Sequence, residues 1–139
     1  MEVKLELDRN MRIIGDDGRN HKTIFDSVPA VGGEDSAATP MSIMLQAMGA
    51  CSFMDTISIL RKKRKQVDNL VINISGERAE KHPKVFTKVH LSYELTSPDA
   101  EQKDIDRAVE LSQEKYCGAS AIFKQSGCEV TFDAKVINP

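Results

Sequence analysis

The chain of 139 residues has no tryptophan, two tyrosines and 5% aromatic residues in all. That leaves few ring faces for stacking bases. It also lacks a charge excess: the formal net charge is −2 and the pI about 5.9, so the molecule as a whole is not built to coat nucleic acid or an anionic membrane. Three cysteines are odd in number and too few for a disulfide scaffold. There is no C-x-x-C and no H-E-x-x-H. His21, His82 and His90 are scattered, with none near a cysteine at ligand spacing, so no metal is expected. The absence of G-x-G-x-x-G and of a Walker loop removes support for a nucleotide cofactor, and none is expected. A G-x-S-x-G nucleophile elbow is missing too. No repeat, heptad run or low-complexity tract occurs, which excludes solenoids and coiled coils. At Met1-Glu2-Val3-Lys4-Leu5-Glu6, charged and apolar residues alternate where a secretory leader would be basic and then apolar. The expected compartment is therefore a reducing cytoplasm, where a thiol is reactive or buried rather than bridged.

What is present fits a soluble globular domain: 40% apolar and 29% charged residues, in a length that predicts a single domain over 1–139. Val3, Leu5 and Leu7 alternate with charges, which is the period of a strand. Strands at 11–14 and 21–26, separated by Asp16-Asp17-Gly18, complete a β-meander. From Ser27 to Thr39 no period holds, and Pro29, Gly32 and Gly33 mark a loop. Thr39-Pro40 then supplies a capping hydroxyl and a proline at the first helical position.

The helix predicted over 40–65 is the centre of the sequence. Twelve of the eighteen residues from Ile43 to Leu60 are apolar and wrap most of the circumference, which predicts a helix enclosed on nearly all sides. Residues 41–60 also have the length of a membrane span. Ser42, Gln46, Ser52, Asp55, Thr56 and Ser58 argue against it, since a mid-span aspartate alone costs about 2.5–3.5 kcal/mol. The cations Arg61-Lys62-Lys63-Arg64-Lys65 suit either a nucleic-acid patch or the negative end of the helix dipole; the helix-end reading is the plainer.

Strands are predicted over 70–80 and 85–95 as a hairpin turning at Lys81-His82-Pro83. A second helix runs from the acidic segment Ser97-Pro98-Asp99-Ala100-Glu101 to Tyr116-Cys117, and Gly118 is expected to break it. A short turn at 119–124 and a closing strand at 130–136 follow. The order predicts an α+β fold with a mostly antiparallel sheet packed on the central helix.

Chemistry falls to cysteine. Cys51 lies among Ala47, Gly49, Ala50 and Ser52, a stretch of the helix with little bulk, and Asp55 follows one turn later. Gly49 costs about 1 kcal/mol against alanine in a helix interior, so something is expected to come close there. Cys117 sits at a helix end beside Lys115, where a thiol is expected to be exposed and shifted toward thiolate. Cys128 reads as packing. Two such thiols, Cys51 and Cys117, are suited to act as a peroxidatic and resolving pair.

The run Thr39-Pro40-Met41-Ser42 through Gln46-Ala47-Met48-Gly49-Ala50-Cys51-Ser52-Phe53-Met54-Asp55 resembles the central helix of the OsmC/Ohr family. Ser75-Gly76-Glu77-Arg78, the strand from Pro83 to Tyr93 and Glu114-Lys115-Tyr116-Cys117 resemble it as well. The resemblance implies an OsmC-like α+β fold assembled as an intertwined homodimer. It also implies reduction of small organic hydroperoxides, with Cys51 attacking, Cys117 resolving and a dithiol or lipoyl-type reductant. No nucleic-acid or membrane partner is implied. Where family members carry a glutamate two residues after the proline, this chain has Ser42, and the loop before the helix holds no arginine. Arg12, Arg19 and Arg78 are the candidates for activating Cys51. The alternative is a non-catalytic binding or stress protein that keeps the scaffold and the thiols.

Overall fold

A computed structural model describes all 139 residues. Two compact units make up the chain, Met1–Met44 and Leu45–Pro139. The first is the expected meander: β1 (Lys4–Arg9), β2 (Arg12–Asp16) and β3 (Lys22–Phe25), paired antiparallel in that order. Its turns are made by short polar side chains. Asp16 Oδ1 accepts from Gly18 N at 2.7 Å, Asp17 Oδ1 accepts from Arg19 N at 2.8 Å, and Gly18 and Asn20 take the left-handed φ that such turns require. The aperiodic loop after β3 is organised by Asp26. Its carboxylate accepts from Ser27 N, Ser36 N and Ser36 Oγ at 2.7, 3.0 and 2.6 Å, and these bonds lower its pKa to about 2.

Helix α1 (Pro40–Lys62) starts where Thr39-Pro40 predicts, with Ser42 N donating to Thr39 Oγ1 at 3.3 Å. It stops three residues short of the predicted end, and Arg64 beyond it adopts a left-handed φ of 60°. Only Met48, Gly49, Ser52, Thr56 and Leu60 on it are buried. The prediction of a helix enclosed on nearly all sides is therefore not met within one chain, which covers a single stripe. Met54 on the opposite side is 71% exposed. The helix is long and apolar enough to cross a membrane by length and composition, yet Ser52 and Thr56 face the protein core.

The second unit carries β4 (Asn69–Arg78), β5 (Phe86–Thr96), α2 (Gln102–Leu111), α3 (Gly118–Gln125) and β6 (Glu129–Ile137). β4 and β5 form the predicted antiparallel hairpin, with Ile72 opposite Tyr93 and Ile74 opposite Leu91. β6 pairs parallel to β5, the one parallel pairing among the four. Two helices separate β5 from β6, and such a crossover returns the chain in the same direction. Central β5 buries Val89, Leu91, Tyr93 and Leu95 as its alternation predicts. A bulge at Glu77/Arg78 shifts the register, so Phe86 rather than Thr87 turns inward and meets the Phe123 ring at 5.6 Å.

The close approach expected at Gly49 is to this sheet. A Cβ on Gly49 would lie 2.3 Å from Ile74 Cδ1, so the absent side chain seats α1 against β4. The cations after α1 tie the chain to α2. Lys63 Nζ reaches Asp104 Oδ1 at 2.5 Å, and Lys65 Nζ donates to the Asp99 carbonyl at 2.7 Å.

Candidate active site: a thiol pair beside a buried hydroxyl network

Cys51 and Asp55 are one turn apart on α1, hence on one face. Cys117 arrives from a different element. After α2 the helix loosens into a π turn, Ser112–Tyr116, and Cys117 leaves helical geometry at φ −74°, ψ 97° while its N–H donates to Ser112 O at 2.7 Å. Cys117 breaks the helix here, and Gly118, expected to be the breaker, begins α3. Cys117 also caps α3, its Sγ accepting from Ser120 N at 3.3 Å. Its S–H is directed toward the Met48 carbonyl of α1, 3.9 Å away. The result is a cluster in which Cys51 Sγ, Cys117 Sγ and an Asp55 carboxylate oxygen all lie within 4.8 Å of one another.

Exposure runs opposite to the expectation. Cys117 is buried, 3% exposed, and Cys51 is half-buried. The bare idea that a helix end is open fails because Cys117 caps the following helix and turns its sulfur toward the Met48 carbonyl of α1. Burial pushes the Cys117 thiol up, the Ser120 hydroxyl and N–H counter this by favouring the thiolate, and neighbouring Cys51 raises it further. Lys115 does not offset this; its ammonium sits 5.2 Å over the Tyr116 ring. Cys128 is buried outside the cluster, as its packing role predicts, with burial raising its pKa.

Asp55 leads from the sulfurs into a chain of hydroxyls. Ser112 Oγ donates to Asp55 Oδ2 at 3.1 Å and lies 2.8 Å from Ser52 Oγ, which lies 2.6 Å from Tyr93 OH. Gln113 Nε2 donates to both Ser52 Oγ (3.0 Å) and Tyr93 OH (2.9 Å). Burial raises the Tyr93 pKa, so its phenol stays a donor. Gln113 Oε1 is buried without a hydrogen-bond partner. Sequence reasoning singled out Cys51, Asp55 and Cys117 but missed Ser52, Tyr93, Ser112 and Gln113 as a group. The available signal was polar residues at otherwise core-facing positions: Ser52 on an apolar helix and Tyr93 on the buried face of β5.

The arginine candidates have other partners. In the first unit, Arg12 Nε donates to Asp8 Oδ2 at 2.9 Å and Arg12 Nη1 to Ser36 Oγ at 2.9 Å. Arg19 is exposed, and Arg78 Nε donates to the Lys84 carbonyl at 2.7 Å. Within Leu45–Pro139 no ammonium or guanidinium is paired with Cys51, Asp55 or Cys117. His21 and His90 bind the local carboxylates of Asp17 and Asp133, outside the thiol cluster.

Comparison with known proteins agrees with this architecture. A family model described as OsmC-like protein matches residues 33–133. The chain is 30% identical over 137 residues to protein YhfA of Escherichia coli K12, covering 99% of this chain and 98% of that one. A crystal structure of a hypothetical protein from Aquifex aeolicus VF5 shares 31% identity at a TM-score of 0.82, over 98% of this chain and 96% of that one. An organic hydroperoxide resistance protein OsmC from Legionella pneumophila has the same fold at a TM-score of 0.71, with 18% identity over 97% of this chain and 96% of that one. With two thirds and more of the chain matched by a family model, and a full-length relative at 30% identity, the chain belongs to the OsmC-like family.

Proposed function

We propose that the protein is a thiol-dependent peroxidase that reduces organic hydroperoxides through Cys51 and Cys117. The observation that carries this reading is the pairing of a half-buried sulfur with a buried one inside 4.8 Å. Cys51 is the sulfur an incoming peroxide meets first. Its thiolate attacks one oxygen of the O–O bond; an S–O bond forms, the O–O bond breaks, and the alkoxide takes a proton and leaves as alcohol. Cys117 then gives up its proton and attacks the Cys51 sulfenic sulfur as thiolate; the S–S bond forms, the S–O bond breaks, and the departing hydroxide takes that proton and leaves as water. An external dithiol or lipoyl-type reductant supplies two electrons and two protons to restore both thiols. The name of the Legionella relative, an organic hydroperoxide resistance protein, supports the substrate class.

The proposal includes a homodimer, acting in a reducing cytoplasm where the three free thiols persist. Support comes from the uncovered side of α1, where Met44 and Met54 stand exposed, 46% and 71%. The test of the function is stoichiometric. One equivalent of organic hydroperoxide added to reduced protein should join Cys51 to Cys117 and leave Cys128 free by peptide mass mapping. A bridge to Cys128, or unreacted Cys51 with no peroxide consumed, overturns the reading in favour of a non-catalytic binding scaffold. That second reading draws on the lack of any cation paired with either sulfur within the Leu45–Pro139 unit.

A further inference from the structure

We propose that reduced Cys51, Asp55 and Cys117 form a binding site for a thiophilic divalent cation of the zinc type. The inference uses the same side chains as the peroxidase reading but does not depend on it, because it needs only the reduced thiols and the carboxylate. Two thiolates and a carboxylate within 4.8 Å of one another would concentrate three negative charges, and no protein cation in this unit is paired with them. A divalent ion is the partner that stabilises such a set.

The donor types and their spacing suit it. Tetrahedral zinc, with Zn–S near 2.3 Å and Zn–O near 2.1 Å, sets its ligand atoms about 3.6–3.8 Å apart, so closure requires shifts of about an ångström. Cys51 and Asp55 come from one face of α1 and Cys117 from the cap of α3, which gives a three-point site on two rigid elements. Outer contacts already orient two of the ligands. Ser112 Oγ donates to Asp55 Oδ2, and Ser120 N donates to Cys117 Sγ. Cys51 and Asp55 are each only half-buried, so the fourth position faces the open side and takes a water. Binding replaces both thiol protons, releasing two protons per ion to buffer. The ion and the peroxide compete for Cys51, and a Cys51–Cys117 disulfide removes both sulfur ligands.

The test is titration of reduced, chelator-treated protein with Co²⁺ without oxygen, read by thiolate-to-cobalt charge-transfer absorption, followed by displacement with Zn²⁺. The expected result is one ion per chain, with the band weakened in Cys51→Ser and in Cys117→Ser and unchanged in Cys128→Ser. Asp55→Asn should keep the band but lower affinity roughly tenfold or more. As a measurement on the unaltered chain, Zn²⁺ should slow alkylation of Cys51 at least tenfold, and a chelator should restore it. Absence of the band, a band undiminished in both Cys51→Ser and Cys117→Ser, its loss in Cys128→Ser, unaltered affinity in Asp55→Asn, or unprotected Cys51 each overturns the site. None of these measurements uses peroxide. A protein that reduces hydroperoxide but binds no Co²⁺ refutes the metal site alone, and the reverse result refutes the peroxidase reading alone.

Discussion

Ser52 and Tyr93, from the central helix and the central strand of the second unit, share a 2.6 Å hydrogen bond with both side chains fully buried. A hydroxyl on an apolar helix is tolerated there because every neighbour in the chain from Tyr93 to Asp55 supplies a partner. Tyr93→Phe keeps the ring and removes one partner, so it should destabilise by about 1–2 kcal/mol. Ser52→Ala takes one partner from each of three groups, Tyr93 OH, Ser112 Oγ and Gln113 Nε2, which keep one other each, and should cost about 2–3 kcal/mol. In the double variant the costs should sum to less than the two singles, as expected for one network. Urea unfolding of the four proteins decides it; strict additivity would show that the hydroxyls act independently.

The exposed stripe of α1 predicts the assembly. Sedimentation should give about twice the chain mass of 15.4 kDa. Met54→Glu places a charge on the uncovered face and should shift the protein to monomer while α1 stays helical by circular dichroism. A parent protein that sediments as a monomer would remove the dimer from the proposal.

Asp104 predicts an acid limit on the α1–α2 junction. Its carboxylate accepts from Glu101 N at 3.0 Å and pairs with Lys63 and Lys65, and Lys63 above all lowers its pKa to about 2. A depressed pKa means the folded state favours the ionised form. The stabilisation is complete above the ordinary carboxylate value near 3.8 and is lost as pH falls toward 2. Asp104→Asn should cost about 1–2 kcal/mol at neutral pH, the range of a lost helix-terminal bond. It should also flatten the stability curve between about pH 4 and 2. Thermal unfolding across that range measures both effects; parallel curves for parent and variant would assign the acid limit elsewhere.

Local periodicity made much of this protein legible. The alternation from Val3 to Leu7 and from Val89 to Leu95, the hydroxyl and proline at Thr39-Pro40, and the turn signal at Asp16-Asp17-Gly18 each act within a few residues. Chain entropy and sterics at that range scarcely depend on the rest of the molecule. For the same reason the sequence by itself aligned Cys51 with Asp55, one helical turn apart. It also marked Cys117 as a residue where a helix ends.

Tertiary structure decided what lies between distant residues. The bulge opposite Phe86, the parallel return of β6 and the π turn before Cys117 are adjustments made when elements pack, and no short period encodes them. The π turn rotates Ser112 toward Ser52 and Asp55 and carries Cys117 down onto α1, so a helix-end thiol that should be open is buried instead. Residue type and local spacing set which atoms could react. Packing of α3 against β5, through the Phe86–Phe123 contact, set which of those atoms meet, because proximity between residues so far apart in sequence is paid for only by burial of the elements that carry them.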